Sequence, residues 1–185
     1  KKKNAVKLVY FGRVSFEKRI DIALETLFLL RKKGVEAELG IIGSGPAEAM
    51  LQKKAHEFGI SSFVHFWGPK QGKALASAVK QHDILVAPSP METQGLYILE
   101  AMAAGLPVVG ANARAIPVAI GRNERGLLFE SGDAADCAQK IERLVRDKKL
   151  AQKLSSNAQK WVKPFGKKEI AKEWLNLYRE ASHLA

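Results

Sequence analysis

The chain has few of the residues that build disulfides, membrane spans and metal sites. Its 185 residues include one cysteine, Cys137, so no disulfide can form within the chain, which favours a reducing compartment. No apolar run approaches the roughly 20 residues that cross a bilayer, and the four histidines lack the spacing of metal ligands. We therefore expect a cytoplasmic protein, or one that faces the cytoplasm.

The glycine-rich turns of two large nucleotide-binding classes are also absent. The first apolar segment is followed by Gly12-Arg13-Val14-Ser15, not by the Gly-x-Gly-x-x-Gly turn through which a pyrophosphate approaches the backbone. A second turn, Gly43-Ser44-Gly45-Pro46, lacks the third glycine, and no Gly-x-x-x-x-Gly-Lys-Ser/Thr loop occurs. These absences argue against a dinucleotide oxidoreductase and against a P-loop NTPase.

Positive charge, in contrast, is abundant. The 30 lysines and arginines against 19 acidic residues give a net charge of +11, an excess that attracts nucleic acid, anionic lipid or a polyphosphate ligand. Lysines form a run at Lys1–Lys3 and crowd the C-terminal end beside Trp161, Phe165 and Trp174. Because no motif that reads RNA or DNA accompanies them, we expect no nucleic-acid partner. The surface is either generically basic or suited to peripheral contact with an anionic membrane.

Strand and helix patterns alternate along the chain. The predicted strands are residues 7–11, 39–42, 64–67, 84–87, 107–110 and 126–129. The predicted helices are residues 17–33, 47–58, 72–80, 95–104, 133–146, 149–162 and 167–183. Strands that are apolar on both faces and separated by helices predict a doubly wound, Rossmann-like α/β fold with a six-stranded parallel sheet. We assign residues 1–166 to this domain.

The last segment, residues 167–185, follows a different pattern. Its helix places Ile170, Trp174, Leu177 and Ala181 at spacings of three and four, which makes an amphipathic stripe that needs a partner surface. No strand follows the helix. We expect it to pack back on the domain or towards a surface outside this chain.

The strongest functional signal is the pair Glu92 and Glu100, which lie around the start of a predicted helix with Gly95 between them. Free backbone N–H groups at a helix N-terminus can hold a phosphate, and carboxylates can accept hydrogen bonds from hydroxyls. The arrangement predicts a site for a nucleotide-sugar. The structural alternatives are that Glu92 caps the helix and that Glu100 is a solvated surface residue.

Two cations follow the first predicted strand. Arg13 and Lys18 lie near the start of the next helix, where the helix dipole does not favour a cation, so a phosphate partner is indicated. Open α/β sheets bind ligands at the carboxyl ends of their strands, near the point where the strand order reverses. In the usual order the first and fourth strands flank that point. We therefore expect Arg13 and Lys18 to face the same crevice as Glu92.

Several motifs occur together, in a fixed order. They are Gly12-Arg13 with Lys18, Gly43-Ser44-Gly45-Pro46, Phe66-Trp67-Gly68, Glu92-x7-Glu100 continuing as AMAAGLPVV to Val109, and Gly126-Leu127-Leu128-Phe129. With them the sequence resembles the C-terminal, donor-binding half of the retaining group 1 glycosyltransferases of the GT-B fold. The resemblance runs from about residue 7 to residue 146. The paired-glutamate motif is highly specific, whereas the Gly-Ser-Gly-Pro turn alone is weak.

The resemblance implies a role for each matching residue. Arg13 and Lys18 would hold the donor diphosphate and stabilise the leaving group without a metal or another cofactor. Glu92 would contact the transferred sugar and stabilise an oxocarbenium-like transition state, and Glu100 would bind the ribose hydroxyls. The implied catalytic residues are Glu92, Arg13 and Lys18. The implied donor-binding residues are Gly12, Arg13, Lys18, Gly68, Pro69, Lys70, Glu92, Thr93, Gln94, Gly95, Leu96 and Glu100.

Some of these implied roles belong to the backbone. Gly95 and Leu96 would offer N–H groups to the distal phosphate. The segment Gly68, Pro69 and Lys70 lies where the family reads the base, largely through main chain.

The sequence departs from the family pattern at three places. The family often has Glu-Gly-Phe-Gly where this chain has Glu92-Thr93-Gln94-Gly95, so the sugar pocket has a different lining. The family's later Gly-Gly-x-Pro-Glu stretch is Arg114-Ala115-Ile116-Pro117-Val118 here, which removes an acidic loop residue. Where the family has Lys-Gly, this chain has Lys18-Arg19, which is a mild change.

The resemblance also implies half of a two-domain enzyme. The family binds the acceptor mainly in an N-terminal domain, so this chain by itself is expected to bind donor but to transfer little or no sugar, and its last helix would return towards that domain. Family frequency favours a UDP-sugar, with GDP-mannose next, and a sugar or lipid acceptor. The alternative is a non-catalytic module that binds a nucleotide-sugar or nucleic acid.

Overall fold

Six parallel strands form one sheet in the computed structural model, which describes residues 5–182. The run Lys1–Lys3 and His183 of the predicted last helix lie outside the described residues. The strands are β1 (Val6–Phe11), β2 (Ala37–Ile42), β3 (Val64–Phe66), β4 (Ile84–Ala87), β5 (Val108–Ala111) and β6 (Leu127–Phe129). The helices are α1 (Ile20–Lys32), α2 (Glu48–Glu57), α3 (Gly72–Val79), α4 (Leu96–Ala103), α5 (Ile116–Ile120), α6 (Ala134–Arg146), α7 (Lys148–Val162) and α8 (Lys167–Ser182).

The strand order is β3-β2-β1-β4-β5-β6, which confirms the predicted doubly wound sheet. The order reverses between β1 and β4, so right-handed crossovers place helices on both faces of the sheet. In agreement, α1 contacts α2 and α6, whereas α4 contacts α7. Leu8 pairs with Ile84 and Val9 with Leu85. The carboxyl ends of β1 and β4 therefore lie side by side at the reversal, where such sheets bind ligands.

The core lies between the sheet and its helices. The central strands are apolar on both faces because both faces are covered, and residues 84–87 of β4 are buried throughout. Cys137 on α6 is fully buried beside Thr26 of α1. Burial raises the pKa of its thiol to about 12, so the thiol remains protonated and packs as a small apolar group.

Two local elements differ from the sequence-based prediction. The helix predicted for residues 17–33 begins at Ile20, because Phe16–Lys18 form a 3-10 turn that ends at Arg19 in the left-handed conformation (φ 48°). The short helix α5 was not predicted, since its five residues span little more than one turn and contain Pro117.

The last helix, α8, is the least buried of the long helices. None of its described residues is buried, and Trp174 and Leu177 are each 54% exposed. It contacts the turn at Lys163–Phe165. The division at residue 166 and the partner of the apolar stripe, either this domain or another, stay predictions. Within residues 5–182, no helix is long and apolar enough to cross a membrane.

Candidate functional site

Backbone hydrogen bonds tie together the loops that follow β1, β2 and β3. The N–H of Gly12 donates to the carbonyl oxygen of Ile42 (3.0 Å), and the N–H of Gly43 donates to that of Gly68 (2.9 Å). A Cβ on Gly43, whose φ is +146°, would lie 1.9 Å from the carbonyl oxygen of Gly12. Gly43 thus permits the close approach of two loops. The Gly43-Ser44-Gly45-Pro46 turn therefore packs directly against the Gly12–Arg13 loop.

Lys18 and Glu92 meet at the point where β1 and β4 end. The Lys18 ammonium donates to Glu92 Oε1 at 2.8 Å, and the side chains are 19% and 8% exposed. The carbonyl oxygen of Glu92 accepts a hydrogen bond from the N–H of Ala115 (3.3 Å), which ties the loop after β4 to the loop after β5. The structure therefore brings together the lysine and the glutamate that we expected to share one crevice, and it pairs them directly.

Arg13 lies beside this pair but points into solvent, with 68% of its side chain exposed. Its guanidinium forms an ion pair with Glu17, which also accepts a hydrogen bond from the Ser15 hydroxyl at 2.7 Å. The Ser15 hydroxyl, and to a smaller extent Arg13, lower the pKa of Glu17, which keeps it a carboxylate. Sequence reasoning missed Glu17, although its spacing of four from Arg13 is a signal for such a pair.

A polar cavity of about 360 Å³ opens between the Gly12–Arg13 loop and the start of α4. Eight of the predicted donor-binding residues line it. They are Gly12, Arg13, Lys18, Glu92, Thr93, Gln94, Gly95 and Leu96. We call this space the polar cavity. Its far wall includes the first turn of α4, where backbone N–H groups lack partners within the helix and can bind an anion.

The turn at the start of α4 requires a glycine. Gly95 has a φ of +64° and is buried, and a Cβ added to it would lie 3.1 Å from the Ile98 Cδ1 atom. A larger residue would strain the backbone and crowd the helix. Gly95 therefore sets the direction in which α4 leaves the Glu92 loop.

Glu100 lies in a different cavity from Glu92. This second space, of about 350 Å³, lies between α3 and α4, and its walls include Phe11, Leu75 and Val79 as well as Glu100. We call it the apolar cavity. Glu100 is therefore exposed beside an apolar wall instead of facing Arg13 and Lys18.

The two cavities are nevertheless neighbours. Phe11 lines both of them. Leu96 of the polar cavity and Glu100 of the apolar cavity are four residues apart on α4, so they share one face about 6 Å apart along the helix axis. One extended ligand can follow this face of α4 from one cavity to the other.

The predicted base-reading segment lines neither of these two cavities. Gly68 is held at the same edge of the sheet by its hydrogen bond from Gly43, and the Lys70 ammonium lies 5.8 Å from the centre of the Trp67 ring. Contact of Gly68, Pro69 and Lys70 with a base stays a prediction.

Sequence reasoning also missed two tyrosines behind the polar cavity. Tyr10 is 1% exposed and its hydroxyl donates to the carbonyl oxygen of Arg13 (2.8 Å), which fixes the Gly12–Arg13 loop. The Tyr97 ring lies 6.0 Å from the Tyr10 ring and 5.9 Å from the Phe11 ring. Burial, and then the negative charge of Glu92, raise the pKa of both tyrosines, so both remain protonated.

Metal-ligand clusters are not found in the part of the chain that the structure describes. Among residues 5–182, no three His, Cys, Asp or Glu side chains come together in a way that could hold a metal ion. The expectation that the chemistry needs no metal and no other cofactor stays a prediction.

Comparison with known proteins places this geometry in a family. Residues 1–161 match the family described as "Glycosyl transferases group 1". The sulfoquinovosyl transferase SQD2 of Arabidopsis thaliana is 37% identical over 148 residues, which are 78% of this chain and 28% of that protein. A D-inositol 3-phosphate glycosyltransferase of Saccharomonospora viridis is 30% identical over 187 residues, covering 96% of this chain and 43% of that protein.

Solved structures agree with these relatives. A point mutant of TarM from S. aureus, crystallised with fondaparinux, α-GlcNAc-glycerol and UDP, superposes with a TM-score of 0.83 at 27% identity. The match covers 94% of this chain and 35% of that one. The chain thus spans less than half the length of each of these three proteins. The family match over residues 1–161, together with the fold, shows that the chain belongs to the group 1 glycosyltransferases.

Proposed function

We propose that the chain is the donor-binding domain of a retaining glycosyltransferase. It binds a nucleoside-diphosphate sugar, UDP-sugar being favoured and GDP-mannose next, and the sugar passes to a sugar or lipid acceptor. The observation that carries the proposal is the meeting of Lys18 and Glu92 at 2.8 Å on the wall of the polar cavity, beside Arg13 and the start of α4. Cations and free N–H groups suit a diphosphate, and a carboxylate suits a sugar.

The proposed chemistry separates charge across this cavity. Breaking the bond between the sugar and the diphosphate leaves negative charge on the distal phosphate, which Arg13, Lys18 and the first turn of α4 stabilise. The positive charge that develops on the sugar ring faces the Glu92 carboxylate. Because the diphosphate attracts Lys18, the Lys18–Glu92 ion pair separates when the donor binds. Lys18 then contacts the diphosphate and Glu92 contacts the sugar. In this proposal, fixed charges of the protein stabilise the developing charges without a metal.

The apolar cavity suits the nucleoside. Glu100 accepts hydrogen bonds from the ribose hydroxyls, and the walls formed by Leu75 and Val79 remove apolar surface of the base from water. UDP in the TarM complex, at 27% identity, supports uridine as the base.

The acceptor is bound mainly by a part of the enzyme that lies outside this chain. The curated relatives compared above extend well beyond the matched segment, 28% and 43% of their lengths being covered. We propose that an N-terminal domain binds the acceptor and that this chain alone transfers little or no sugar. The single cysteine supports a cytoplasmic location, and the net charge of +11 supports peripheral contact with an anionic membrane.

Calorimetric titration of the chain with UDP, GDP and ADP tests the donor site. We expect UDP to bind most tightly, and Arg13→Ala and Glu100→Ala each to weaken it. Failure of all three nucleotides at millimolar concentration, with this chain and with a two-domain enzyme that contains it, would contradict the proposal.

The alternative, a non-catalytic module for nucleic acid, makes opposite predictions. Oligonucleotide binding would then be strong, would fall steeply with salt, and would be indifferent to Glu92→Gln. Nucleotide binding that depends on Arg13 and Glu100, together with weak oligonucleotide binding, excludes that alternative.

A further inference from the structure

The Tyr97 hydroxyl stands out among the polar groups of the molecule. Among residues 5–182 it is the one fully buried side-chain polar atom that makes no hydrogen bond. Burying a hydroxyl without a partner is unfavourable, and native proteins keep few such groups, so each one calls for a physical explanation. Packing alone does not supply it, since phenylalanine would make the same ring contacts.

The position of Tyr97 points to the polar cavity. Tyr97 is the second residue of α4 and lines that cavity with Arg13, Lys18 and Glu92. Its ring is fixed by the rings of Tyr10 and Phe11, at 6.0 Å and 5.9 Å, so the hydroxyl cannot easily swing elsewhere. The neighbouring Tyr10 hydroxyl already has its acceptor in the carbonyl of Arg13. Of these two buried phenols, only Tyr97 holds an unused donor behind the cavity wall.

The charge around Tyr97 sets what it can bind. Burial and the nearby Glu92 carboxylate raise the pKa of the phenol and keep it protonated, so its hydroxyl has a proton to donate and suits an acceptor oxygen. The Lys18–Glu92 ion pair lines the same cavity as Tyr97. An anionic ligand that drew Lys18 away from Glu92 would open space for one of its oxygens to reach the hydroxyl.

We infer that the Tyr97 hydroxyl is a donor-binding group, which donates a hydrogen bond to an oxygen at the diphosphate–sugar end of the nucleotide-sugar. The inference rests on the proposed function. It adds a residue that lies between Gly95 and Glu100 but outside the set expected from the sequence. The acceptor is either a phosphate oxygen or a hydroxyl of the transferred sugar, and the two sources can be separated by experiment.

The test uses Tyr97→Phe, which removes the hydroxyl and keeps the ring. Binding of uridine, UDP and UDP-glucose is measured by calorimetry for wild type and variant, with Tyr178→Phe on the exposed face of α8 as the matched control. Loss of a neutral hydrogen bond to a sugar hydroxyl predicts binding about three- to tenfold weaker, and loss of a bond to a charged phosphate oxygen predicts binding weaker by about tenfold or more. Weakening of UDP and UDP-glucose alike identifies a phosphate oxygen, and weakening of UDP-glucose alone identifies a sugar hydroxyl. Uridine binding is expected to stay unchanged in both cases.

A thermal melt of the same variants tests whether weaker binding results from a destabilised fold instead of a lost contact with the ligand. Because Tyr97→Phe deletes an unpaired buried hydroxyl, we expect its melting temperature to equal or exceed that of wild type. Weaker donor binding by an equally stable variant supports the inference. If the variant binds all three ligands as wild type does, while wild type binds UDP, the inference is wrong and the proposed function stands. If wild type and a two-domain enzyme that contains this chain both fail to bind UDP and UDP-glucose, the proposed function and the inference fall together.

Discussion

The polar and apolar cavities share Phe11 and one face of α4, yet their walls are built differently. The polar cavity has an ion pair, an exposed arginine and the first turn of a helix. The apolar cavity is lined mostly by apolar side chains, including Phe11 and Leu75, together with one carboxylate, Glu100, and one lysine, Lys80. The contrast matches the two ends of a nucleotide-sugar, since charged oxygens need cations and N–H groups whereas a base needs apolar surface and a ribose needs an acceptor.

Lys18→Ala should produce the largest change, because it removes a cation and strands Glu92. Breaking a pair that is 19% and 8% exposed leaves a buried carboxylate unpaired, which we expect to cost about 3 kcal/mol in the free energy of unfolding. UDP binding should weaken at least about tenfold. Denaturant unfolding and calorimetry measure the two effects. Glu92→Gln leaves the more exposed Lys18 ammonium, which can still donate a hydrogen bond to the glutamine amide oxygen, so it should destabilise by only about 1 kcal/mol. Equal losses from the two variants would contradict this interpretation of the pair.

Arg13→Ala should separate binding from stability in the same cavity. Its guanidinium is 68% exposed, so the unfolding free energy should change by less than about 0.5 kcal/mol. UDP binding should weaken about tenfold, since charge-assisted hydrogen bonds to phosphate are lost. Glu17→Gln is the matched control and should change UDP affinity in the opposite direction. It removes the ion-pair partner of Arg13, which leaves the guanidinium free for the ligand, so UDP should bind more tightly. Weakening by both variants would show that the Arg13–Glu17 pair itself holds the donor.

Glu100→Ala tests whether the apolar cavity belongs to the same site. We expect UDP binding to weaken about fivefold through lost hydrogen bonds to the ribose, with unchanged binding of inorganic pyrophosphate. Stability should be unaffected, as the side chain is exposed. Calorimetry with both ligands makes the comparison. An equal effect on pyrophosphate would place Glu100 at the diphosphate instead.

Arg19→Gly should have the smallest effect. Arg19 adopts φ 48° and ψ 41°, a conformation that costs a non-glycine residue about 1 kcal/mol, but it also donates to Asp21 at 3.0 and 3.1 Å. Glycine relieves the strain and loses the ion pair, so the net change should be within about 0.5 kcal/mol. Arg19→Ala keeps the strain and loses the pair, and should be the less stable of the two in denaturant unfolding.

The sequence was sufficient for the sheet and for the outline of the polar cavity. Apolar runs on both faces of β1 and β4 are local signals for buried parallel strands, and the reversal of strand order places the segments after them side by side. Two arginines mark a limit of that prediction. Arg19 and Arg114 have positive φ values, 48° and 51°, a conformation typical of glycine that no side-chain pattern predicts for arginine.

The remaining features depend on packing between elements. That Glu100 faces α3 instead of Glu92 follows from where α3 crosses the sheet, which periodicity does not specify. The direct Lys18–Glu92 pair depends on a 3-10 turn that replaces the first turn of the predicted helix. Whether the Tyr97 hydroxyl has a hydrogen-bond partner depends on every group that packs around it, including residues distant in sequence. No local sequence pattern could therefore predict that it is unpaired.

The most direct test of the account is to titrate the chain with uridine, inorganic pyrophosphate and UDP, and to repeat each titration with Arg13→Ala and Glu100→Ala. Two cavities that hold one donor predict that UDP binds more tightly than either fragment. They also predict that Arg13→Ala weakens pyrophosphate and UDP, and that Glu100→Ala weakens uridine and UDP. UDP binding that is indifferent to one of the two substitutions would contradict the claim that a single nucleotide-sugar spans both cavities.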